Sequence, residues 1–535
     1  MQLAPGTPPE KLTERSISES KAAAALLPHG APASVVEFGR RRLIIVVGVM
    51  LAALLQTLDA TIVNVALPTI EGNVGASIDD GTWIITGYII SNVIAIPLAP
   101  FALQRLGRRH YYALCVGGFT VASFLCGTAT SLGALVFFRV VQGAFGGGLI
   151  ATSQIILRDT FPPEKIGTSS ALFAIALTVG PALGPTLGGI LTDNLSWPWV
   201  FDINLVPGAL AVIVILTMLR NPAPPRRLPF DGLGVALLAL GLGSLQYVLD
   251  EGERNDWFDD GRIVGFALTG LLGIAAFVIW ELRARHPIVD LRVFRYPNVR
   301  VGTITAILLG MVVFGPIVML PQYLQNVLGF TATMSGLLIL TRALPVLALT
   351  PFVARFTTRI DPRILLAAGF ALSAAGFAAI AGEMTTGSDF GTFGAALALS
   401  GIGQSMLLVP LLVSILGTVA PPDGPKASSF ISLSVQFGGS IASTMLVTVF
   451  DRRTSFHSDI ERGFATLTNP TLARILQSGG AGRAAIARTI AAQATNAGFA
   501  DAIYVLVPLA VSAALIVVLL RPRKHPVAVA AVTAE

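Results

Sequence analysis

Long apolar segments recur along the whole chain and are separated by short polar loops. Each segment holds about 18 or more residues with few charges, the length that a helix needs to cross a hydrocarbon core of roughly 30 Å. A segment without a partner sheet must satisfy its backbone hydrogen bonds internally, so each is predicted to be a helix. The fourteen predicted spans lie near residues 43–67, 83–103, 111–130, 133–155, 168–192, 199–219, 231–249, 262–281, 299–321, 333–354, 363–383, 391–416, 427–450 and 501–520. Their spacing groups them as six, two and six, and the predicted fold class is an all-α polytopic membrane protein.

Basic residues cluster at alternate ends of these spans. The clusters lie in the stretches 40–42, 105–109, 158–165, 220–227, 283–300, 355–363, 426 and 521–524. Opposite loops carry acidic stretches, such as residues 250–256. Because cytoplasmic loops are enriched in lysine and arginine, the basic side is predicted to be cytoplasmic. An even number of spans, with basic clusters at alternate ends, requires that both termini lie on the cytoplasmic side.

The same pattern divides the chain into five parts. They are a disordered cytoplasmic tail over 1–39, a first six-helix bundle over 40–220, two inserted helices with linkers over 221–290, a second six-helix bundle over 291–521, and a cytoplasmic tail over 522–535. The second bundle includes a long external loop over 451–500. Within it, residues 481–490 have good helix formers at helical spacing, which predicts a surface helix or a docking site for a partner.

Composition supports the membrane class and argues against several others. The chain has 535 residues, 53% of them hydrophobic and 12% charged. The net charge of +6 comes from the loop clusters, so it reports topology rather than a nucleic-acid partner. Cys115 and Cys126 lie about 16 Å apart along one helix, too far for a disulfide. No histidine–cysteine metal spacing, phosphate-binding loop or Ser-His-Asp set occurs, so we expect no enzyme activity, no metal and no cofactor.

Asp59 is the one acid inside the first span. A carboxylate at mid-span costs about 2.5–3.5 kcal/mol on insertion scales, so it is expected to face the bundle interior, a cavity or a partner rather than lipid. Two interpretations follow. Asp59 carries a proton during transport, or it is buried against an arginine and locks two helices together.

Arg139 in the fourth span could be that partner. It shares a helix face with Gln142, because the two residues are three apart. Arg139 is predicted to lie about 9 Å from the outer end of its span, and Asp59 about 24 Å from the inner end of the first. Both positions fall in the outer half, so a pair is possible. An acid that separates from its cation binds a proton more readily, which would provide a proton switch.

Other polar groups in the spans are candidates for a substrate cavity. Arg342 in the tenth span has no acid in its own helix, and it could bind an anionic group or a backbone carbonyl at a kink near Pro345. The remaining cavity candidates are Gln56, Trp83, Tyr88, Gln142 and Gln404. The alternative for each is a contact that joins two helices.

In the fifth span, Gly180, Gly184 and Gly188 recur every four residues and therefore line one helix face. Pro181 and Pro185 lie beside them. One interpretation is a tight helix crossing, as many membrane proteins have. The other is a kinked pivot that also seals the transport path against leakage.

These stretches resemble a known family. Residues 58–68 (LDATIVNVALP), 139–143 (RVVQG) and 180–189 (GPALGPTLGG) are similar to motifs of the major facilitator superfamily, and within it of the fourteen-span drug:proton antiporters of the EmrB/QacA type. The resemblance implies the major facilitator fold with paired six-helix bundles. It implies that Asp59 is the proton-linked acid and that Arg139 takes part in proton transfer. The stretch that ends at Gly189 matches the antiporter motif, which favours export.

The loop between the second and third spans matches the family only in part. Gly107, Arg108 and Arg109 are kept, and the resemblance implies that they form a cytoplasmic gating loop. Pro100 and Gln104 stand where the family has Gly and Asp. The acid of the usual salt-bridge latch is therefore missing from this loop.

The combined expectation is a proton-coupled exporter of drugs or other amphipathic molecules, working by alternating access in the bacterial inner membrane. It would use the proton gradient and no cofactor. A dedicated exporter of one metabolite, siderophore or lipid-like compound is the main alternative, and a non-transporting receptor or scaffold is another. Relatives of Gram-negative bacteria work with a periplasmic adaptor, which leaves such a partner possible.

Overall fold

The computed structural model describes residues 37–76, 78–81, 83–162, 165–221, 224, 229–285, 287–357, 359–385, 390–464 and 480–521. Fourteen helices in these ranges are long and apolar enough to cross a membrane, which confirms the predicted all-α membrane class. The predicted tails lie outside the described residues, apart from positions 37–39. Arg226 and Arg227 of the basic clusters also lie outside them.

We number these helices α1 to α14 in chain order. The first six are α1 (Gly39–Val74), α2 (Trp83–Ala95, continued through the turn Ile96–Leu98 into Ala99–Leu106), α3 (Arg108–Gly127), α4 (Leu132–Thr160), α5 (Ile166–Asn194) and α6 (Trp199–Asp202, continued as Leu205–Met218). The next two are α7 (Gly232–Glu251) and α8 (Gly261–Arg283). The last six are α9 (Pro297–Asn326), α10 (Ala332–Phe356), α11 (Pro362–Glu383), α12 (Phe390–Ser405, continued as Leu408–Leu416), α13 (Gly424–Phe464) and α14 (Gly480–Tyr504, continued as Leu506–Ile516).

Short helical segments join some of these helices. They are Ile78–Gly81, Glu253–Asn255, Trp257–Asp259, Leu291–Arg295 and Pro421–Asp423, with Val517–Leu519 at the end of α14.

Polar residues just before several helices fix where those helices begin. The side chain of Asp231 accepts a hydrogen bond from the backbone N–H of Gly234 at 2.9 Å and so caps α7. Such caps satisfy backbone donors that the first helical turn leaves free. Between α2 and α3 the chain turns at Gly107, whose φ of 78° favours glycine. These features keep the loops short between consecutive spans.

The helices pack as two groups. In the first, α1 contacts α5, α6 and α4, while α4 also packs on α2 and α3. In the second, α9 packs on α13, α11 on α12 and α14, and α10 on α12. The two groups meet chiefly where α5 packs on α10, with further contacts of α12 on α5 and of α13 on α4. The interface between the groups is therefore built around α5.

The inserted helices α7 and α8 pack on each other, and α7 also touches both groups. The Tyr247 ring of α7 stacks on Trp83 of α2, with centroids 5.7 Å apart. On the other side, the Thr444 hydroxyl of α13 donates to the Leu249 carbonyl at 2.6 Å. Helix α7 thus connects α2 to α13 beside the main interface.

The prediction of a long external loop over 451–500 is wrong for most of that stretch. Helix α13 continues to Phe464 and α14 begins at Gly480, while residues 465–479 lie outside the described part. A run of charges predicts the end of a membrane span. A helix can nevertheless continue past that run when the charged side chains find partners. Here Asp501 accepts hydrogen bonds from Arg453 and contacts His457. The predicted helix over 481–490 lies within α14.

Candidate functional site

Asp59 lies at the centre of a hydrogen-bonded cluster between α1, α4 and α6. Its Oδ2 accepts a hydrogen bond from Arg139 Nη1 at 2.6 Å. Its Oδ1 accepts from Gln142 Nε2 at 2.9 Å and from Asn204 Nδ2 at 3.2 Å. The pairing of Asp59 with Arg139 that their depths allowed is therefore present in the structure.

The guanidinium of Arg139 is held from several sides. Its Nη1 also donates to Gln142 Oε1 at 2.7 Å, and its Nε donates to the Ile84 carbonyl of α2 at 3.1 Å. The Tyr88 ring lies under it, with 4.1 Å between the Arg139 Cζ and the ring centroid. An arginine so placed has little freedom to leave Asp59 unless α2, α4 or α1 moves.

Two members of this cluster were missed by the sequence analysis. Asn204 at the bend of α6 links Asp59 to Ser123 of α3, because its Nδ2 also donates to Ser123 Oγ at 2.9 Å. Ser123 Oγ in turn donates to the Phe201 carbonyl at 2.9 Å. An asparagine within the sixth predicted span is the signal that could have identified Asn204.

The cluster is closed to solvent in this conformation. Asp59 is 0% exposed and Arg139 is 1% exposed. The acid faces the interior of the first group, as its insertion cost predicted, and not an open cavity. Burying two charges together is tolerable only when both are paired and hydrogen-bonded, as they are here.

Helix α5 packs against α1 through its glycine face. A Cβ at Gly180 would meet Thr57, one at Gly184 would meet Thr61, and one at Gly188 would meet the Ile62 carbonyl at 2.6 Å. The close helix approach predicted for these glycines is present, and its partner is α1. Pro181 and Pro185 lie inside α5, which continues past both, and Gly189 is buried beside them.

The two sides of α1 serve different contacts. Thr57 and Thr61 are four residues apart and face α5, whereas Asp59 is rotated about 200° from Thr57 and faces α4 and α6. The α5 glycines therefore do not touch the Asp59 carboxylate. They position the stretch of α1 that carries it.

A small gap lies between the two groups of six helices. Its volume is about 20 Å³, and α4, α5, α9, α12 and α13 contribute to its lining. Its polar lining residues are Gln154, Ser432 and Gln436, and the other lining side chains are apolar. Such a space holds about one water molecule, so the interface is closed in this conformation.

None of the six predicted cavity residues lines this gap, and four of them have partners elsewhere. Gln56 Oε1 accepts from the Ile150 N–H at 3.2 Å, Trp83 stacks on Tyr247, and Tyr88 and Gln142 belong to the Asp59 cluster. Gln404 is buried in α12. The prediction that these residues form the cavity is not supported in this conformation.

Arg342, the sixth of these residues, binds a different kink from the one predicted. Its Nη2 donates to the carbonyls of Val312 and Val313 in α9 at 3.1 and 3.2 Å. Pro316 of α9 has no N–H, so the Val312 carbonyl has no helical donor. The prediction of Pro345 was wrong because the freed carbonyls lie in the neighbouring helix and not in α10.

The loop between α2 and α3 is bonded to α4 and to the segment after α6. Arg108 is buried, and its Nη1 donates to Asp159 Oδ2 of α4 at 3.0 Å. It also donates to the Arg220 carbonyl after α6, and the Arg109 N–H donates to Asn221 Oδ1 at 2.8 Å. These bonds join α3, α4 and the segment after α6, and the gating role of Gly107, Arg108 and Arg109 stays a prediction.

Comparisons with known proteins agree with this architecture. A sequence model of the Major Facilitator Superfamily matches residues 49–341 and 302–457. The chain is 36% identical over 420 residues to the "Multidrug export protein EmrB" of Escherichia coli (strain K12), covering 78% of this chain and 82% of the relative. It is 35% identical over 408 residues to the "Fatty acid resistance protein FarB" of Neisseria gonorrhoeae, covering 76% and 80%.

Solved structures show a similar fold at low sequence identity. The human organic anion transporter MFSD10 has a TM-score of 0.59 at 16% identity, covering 90% of this chain and all of that one. The proton:xylose symporter XylE has a TM-score of 0.58 at 12% identity, covering 89% of this chain and 94% of that one. At these identities the likeness concerns the fold alone.

Proposed function

The chain belongs to the major facilitator superfamily, among its EmrB-type transporters, and on that premise we propose that it exports amphipathic small molecules in exchange for protons by alternating access. Its place is the bacterial inner membrane, where the fourteen helices span the bilayer. It is a transporter rather than an enzyme. The proposal concerns the proton coupling, the direction of transport and the mechanism.

The observation that carries the proposal is the buried cluster around Asp59. A carboxylate that is 0% exposed can accept a proton only if its ion pair opens and water reaches it. Arg139, Gln142 and Asn204 all donate hydrogen bonds to the Asp59 carboxylate while the cluster is closed. Separation of α1 from α4 or α6 would break these bonds, and in the proposed cycle this movement links the conformation of the transporter to the protonation of Asp59.

The closed gap between the two groups supports alternating access. Sites for drug-sized ligands have volumes of about 300–1,000 Å³, whereas this gap measures about 20 Å³. A substrate between the groups therefore requires them to separate on one face. Rigid-body rocking about a central site is the common mechanism of transporters with paired bundles.

Helix α5 provides a mechanical link between the substrate gap and Asp59. On one side its glycine face packs on α1, and on the other side its Thr186 packs against Gly336 of α10. When the α5–α10 interface rearranges, α1 must follow α5 or slide along it. In the proposed cycle, this movement opens the Asp59 cluster to a proton as the gap changes face.

The test is transport into inverted vesicles that contain the full chain, with a lipophilic cation dye as probe and an imposed proton gradient. Exchange of one dye cation for one proton moves no net charge, so the pH difference drives it, and a difference worth about 2.3 kcal/mol supports roughly a fifty-fold substrate gradient. We expect Asp59→Asn to reduce this gradient to none while substrate exchange in the absence of a proton gradient continues. Asp59→Glu should keep part of the accumulation.

Asp193→Asn is the matched control, because it neutralises an exposed acid in α5 and should leave transport unchanged. Full accumulation by well-folded Asp59→Asn would contradict the proton role of Asp59. Loss of accumulation in the control as well would show that the assay reports protein yield rather than coupling.

A dedicated exporter of a lipid-like compound is the second candidate. It is favoured by the lining of the central gap, which has uncharged polar side chains and large apolar ones but no acid to pair with a cationic drug. The same vesicles, given unrelated cationic and neutral dyes and a medium-chain fatty acid, distinguish the two. Transport of the fatty acid alone would support the dedicated exporter.

The energy source and the partner complete the proposal. The exporter would use the proton gradient without a nucleotide or other cofactor. The periplasmic adaptor stays a prediction, and the helices that continue α13 and α14 beyond the predicted spans are the surface we would test for it. Phe450 and Phe499 pack between these two helices, with ring centroids 4.2 Å apart, and this contact holds the helices together.

A further inference from the structure

A second, larger cavity lies at the arginine-rich end of the helices, away from the Asp59 cluster. Its volume is about 270 Å³. The end of α2 forms one wall, the start of α13 forms another, and the linker from α8 to α9 closes it. None of the residues assigned above to the proton-coupling cluster lines it. It therefore needs an explanation of its own.

Three cations line this cavity, and only one of them is neutralised. Lys426 Nζ donates to Asp290 Oδ2 at 2.7 Å and to Asp423 Oδ1 at 2.8 Å. Arg285 and Arg292 are exposed, and the structure pairs neither with a carboxylate among the residues it describes. Two guanidinium groups at one opening, without acids to neutralise them, attract an anion.

The nearby acids are already engaged and do not cancel this attraction. Asp423 also accepts hydrogen bonds from Arg295 at 2.8 Å and from Tyr296 at 3.1 Å. Partial burial by itself raises the pKa of Asp423, but the bonds from Lys426 and Tyr296 and the nearby Arg295 charge lower it below its usual range. The carboxylate therefore stays ionised and bound to its partners at neutral pH.

Most of the remaining lining residues are apolar. Phe101 and Ile288 are buried in the wall, and Phe430 packs with them. A cavity with cations at its opening and aromatic and aliphatic side chains behind them suits an amphiphile with an anionic head. Its volume is just below the range of about 300–1,000 Å³ for drug-sized ligands, so it fits a headgroup and the start of its chains better than a whole drug.

Gln104 of α2 also lines the cavity. An aspartate there would stand in the cavity with Arg285 and Arg292 and would oppose an anionic ligand. The glutamine leaves the cavity with a net positive lining.

We propose that this cavity binds the headgroup of an anionic phospholipid, with Arg285 and Arg292 on its phosphate and the Phe101–Ile288–Phe430 surface against its chains. The cavity lies among basic loops at the ends of the spans, the level at which lipid headgroups lie. Basic pockets between helices at this level bind anionic lipids in other membrane proteins. Since its walls belong to both groups of helices, a bound lipid would hold this face closed.

The experiment measures binding and does not depend on transport. The purified, delipidated full chain in neutral detergent is titrated with dioctanoyl-phosphatidylglycerol, and separately with dioctanoyl-phosphatidylcholine and inorganic phosphate. The readouts are the dissociation constant and the rise in unfolding temperature on saturation. We expect saturable binding of the phosphatidylglycerol, with weaker binding of the zwitterionic lipid and of phosphate.

Variants identify the site. Arg285→Gln/Arg292→Gln should weaken phosphatidylglycerol binding by about tenfold to a hundredfold, the effect of losing a charged hydrogen bond or more. Gln104→Glu should weaken it as well, whereas Gln104→Met should not. The matched control Arg300→Gln/Arg359→Gln removes the same charge from exposed positions outside the cavity and should bind like the wild type.

Three results would overturn the proposal. The first is equal binding by the wild type and the Arg285/Arg292 variant, and the second is an equal loss in the Arg300/Arg359 control. The third is tight binding of inorganic phosphate with no gain from the lipid chains, which would identify a site for a small anion. All substituted residues are exposed, so loss of folding is not expected to obscure these outcomes.

Discussion

Each group of six helices buries an arginine in the middle of a span, and these two arginines have different partners. In the first group, Arg139 donates to the Asp59 carboxylate at 2.6 Å. In the second, Arg342 donates to the Val312 and Val313 carbonyls, and the described residues place no carboxylate within ion-pair distance of it. Arg139 is 1% exposed and Arg342 is 5% exposed, so the difference is not one of burial.

The difference lies in what the partner can do. A carboxylate changes its charge when it takes up a proton, whereas a backbone carbonyl does not do so in this pH range. Arg139 therefore has a titratable partner, whereas Arg342 binds the carbonyl that Pro316 leaves without a helical donor. If the proposed proton coupling is right, the comparison places it in the first group and gives the buried cation of the second a structural role.

The largest effect that would test this comparison is the loss of Arg139. Arg139→Met should destabilise the protein by about 3–5 kcal/mol, because it leaves the Asp59 carboxylate buried and unpaired. Adding Asp59→Asn should recover much of that loss, since an uncharged amide can still bond to Gln142 and Asn204. Reversible unfolding of the full chain in mixed micelles measures both values.

The corresponding control lies in the other group. Asp59→Asn combined with Arg342→Met should show additive losses, because the two sites share no contact. If Asp59→Asn gave no recovery in the Arg139→Met background, the two residues would not be energetically coupled and the comparison would fail.

A smaller effect is expected at Arg342. Arg342→Met should cost about 2–3 kcal/mol, since it removes charged hydrogen bonds and leaves the Val312 carbonyl unsatisfied. Pro316→Ala should recover part of this loss in the double variant, because alanine supplies the missing N–H to that carbonyl. The same unfolding assay applies.

Pro321→Ala is the matched control, since it repairs a different turn of α9. In the Arg342→Met background, Pro321→Ala should change the free energy of unfolding by no more than it does in the wild type. Equal recovery by both alanine variants would mean that Arg342 does not act on the Pro316 kink.

The sequence was sufficient to predict the helices and one of these two partners. Apolar length predicts the spans, and depth along two helices allowed the Asp59–Arg139 pair. The partner of Arg342 could not be predicted, because a sequence gives the face of a residue on its own helix but not which helix lies opposite. Asn204 was missed for the same reason. The continuation of α13 could not be predicted, because a run of charges in the sequence looks the same whether the helix ends there or continues.

The tight helix crossings offer the last and smallest test, because both groups contain them. Gly184→Ala would push α5 away from Thr61 of α1, and Gly310→Ala would push α9 away from the Val435 carbonyl of α13. Each should destabilise by about 1–3 kcal/mol through overpacking.

Only Gly184→Ala is expected to shift the pH dependence of vesicle transport, because α1 carries the titratable acid. Gly265→Ala in α8 meets no atom within 4 Å and should change neither quantity appreciably. A pH shift in the Gly310 variant equal to that in the Gly184 variant would place proton chemistry in both groups.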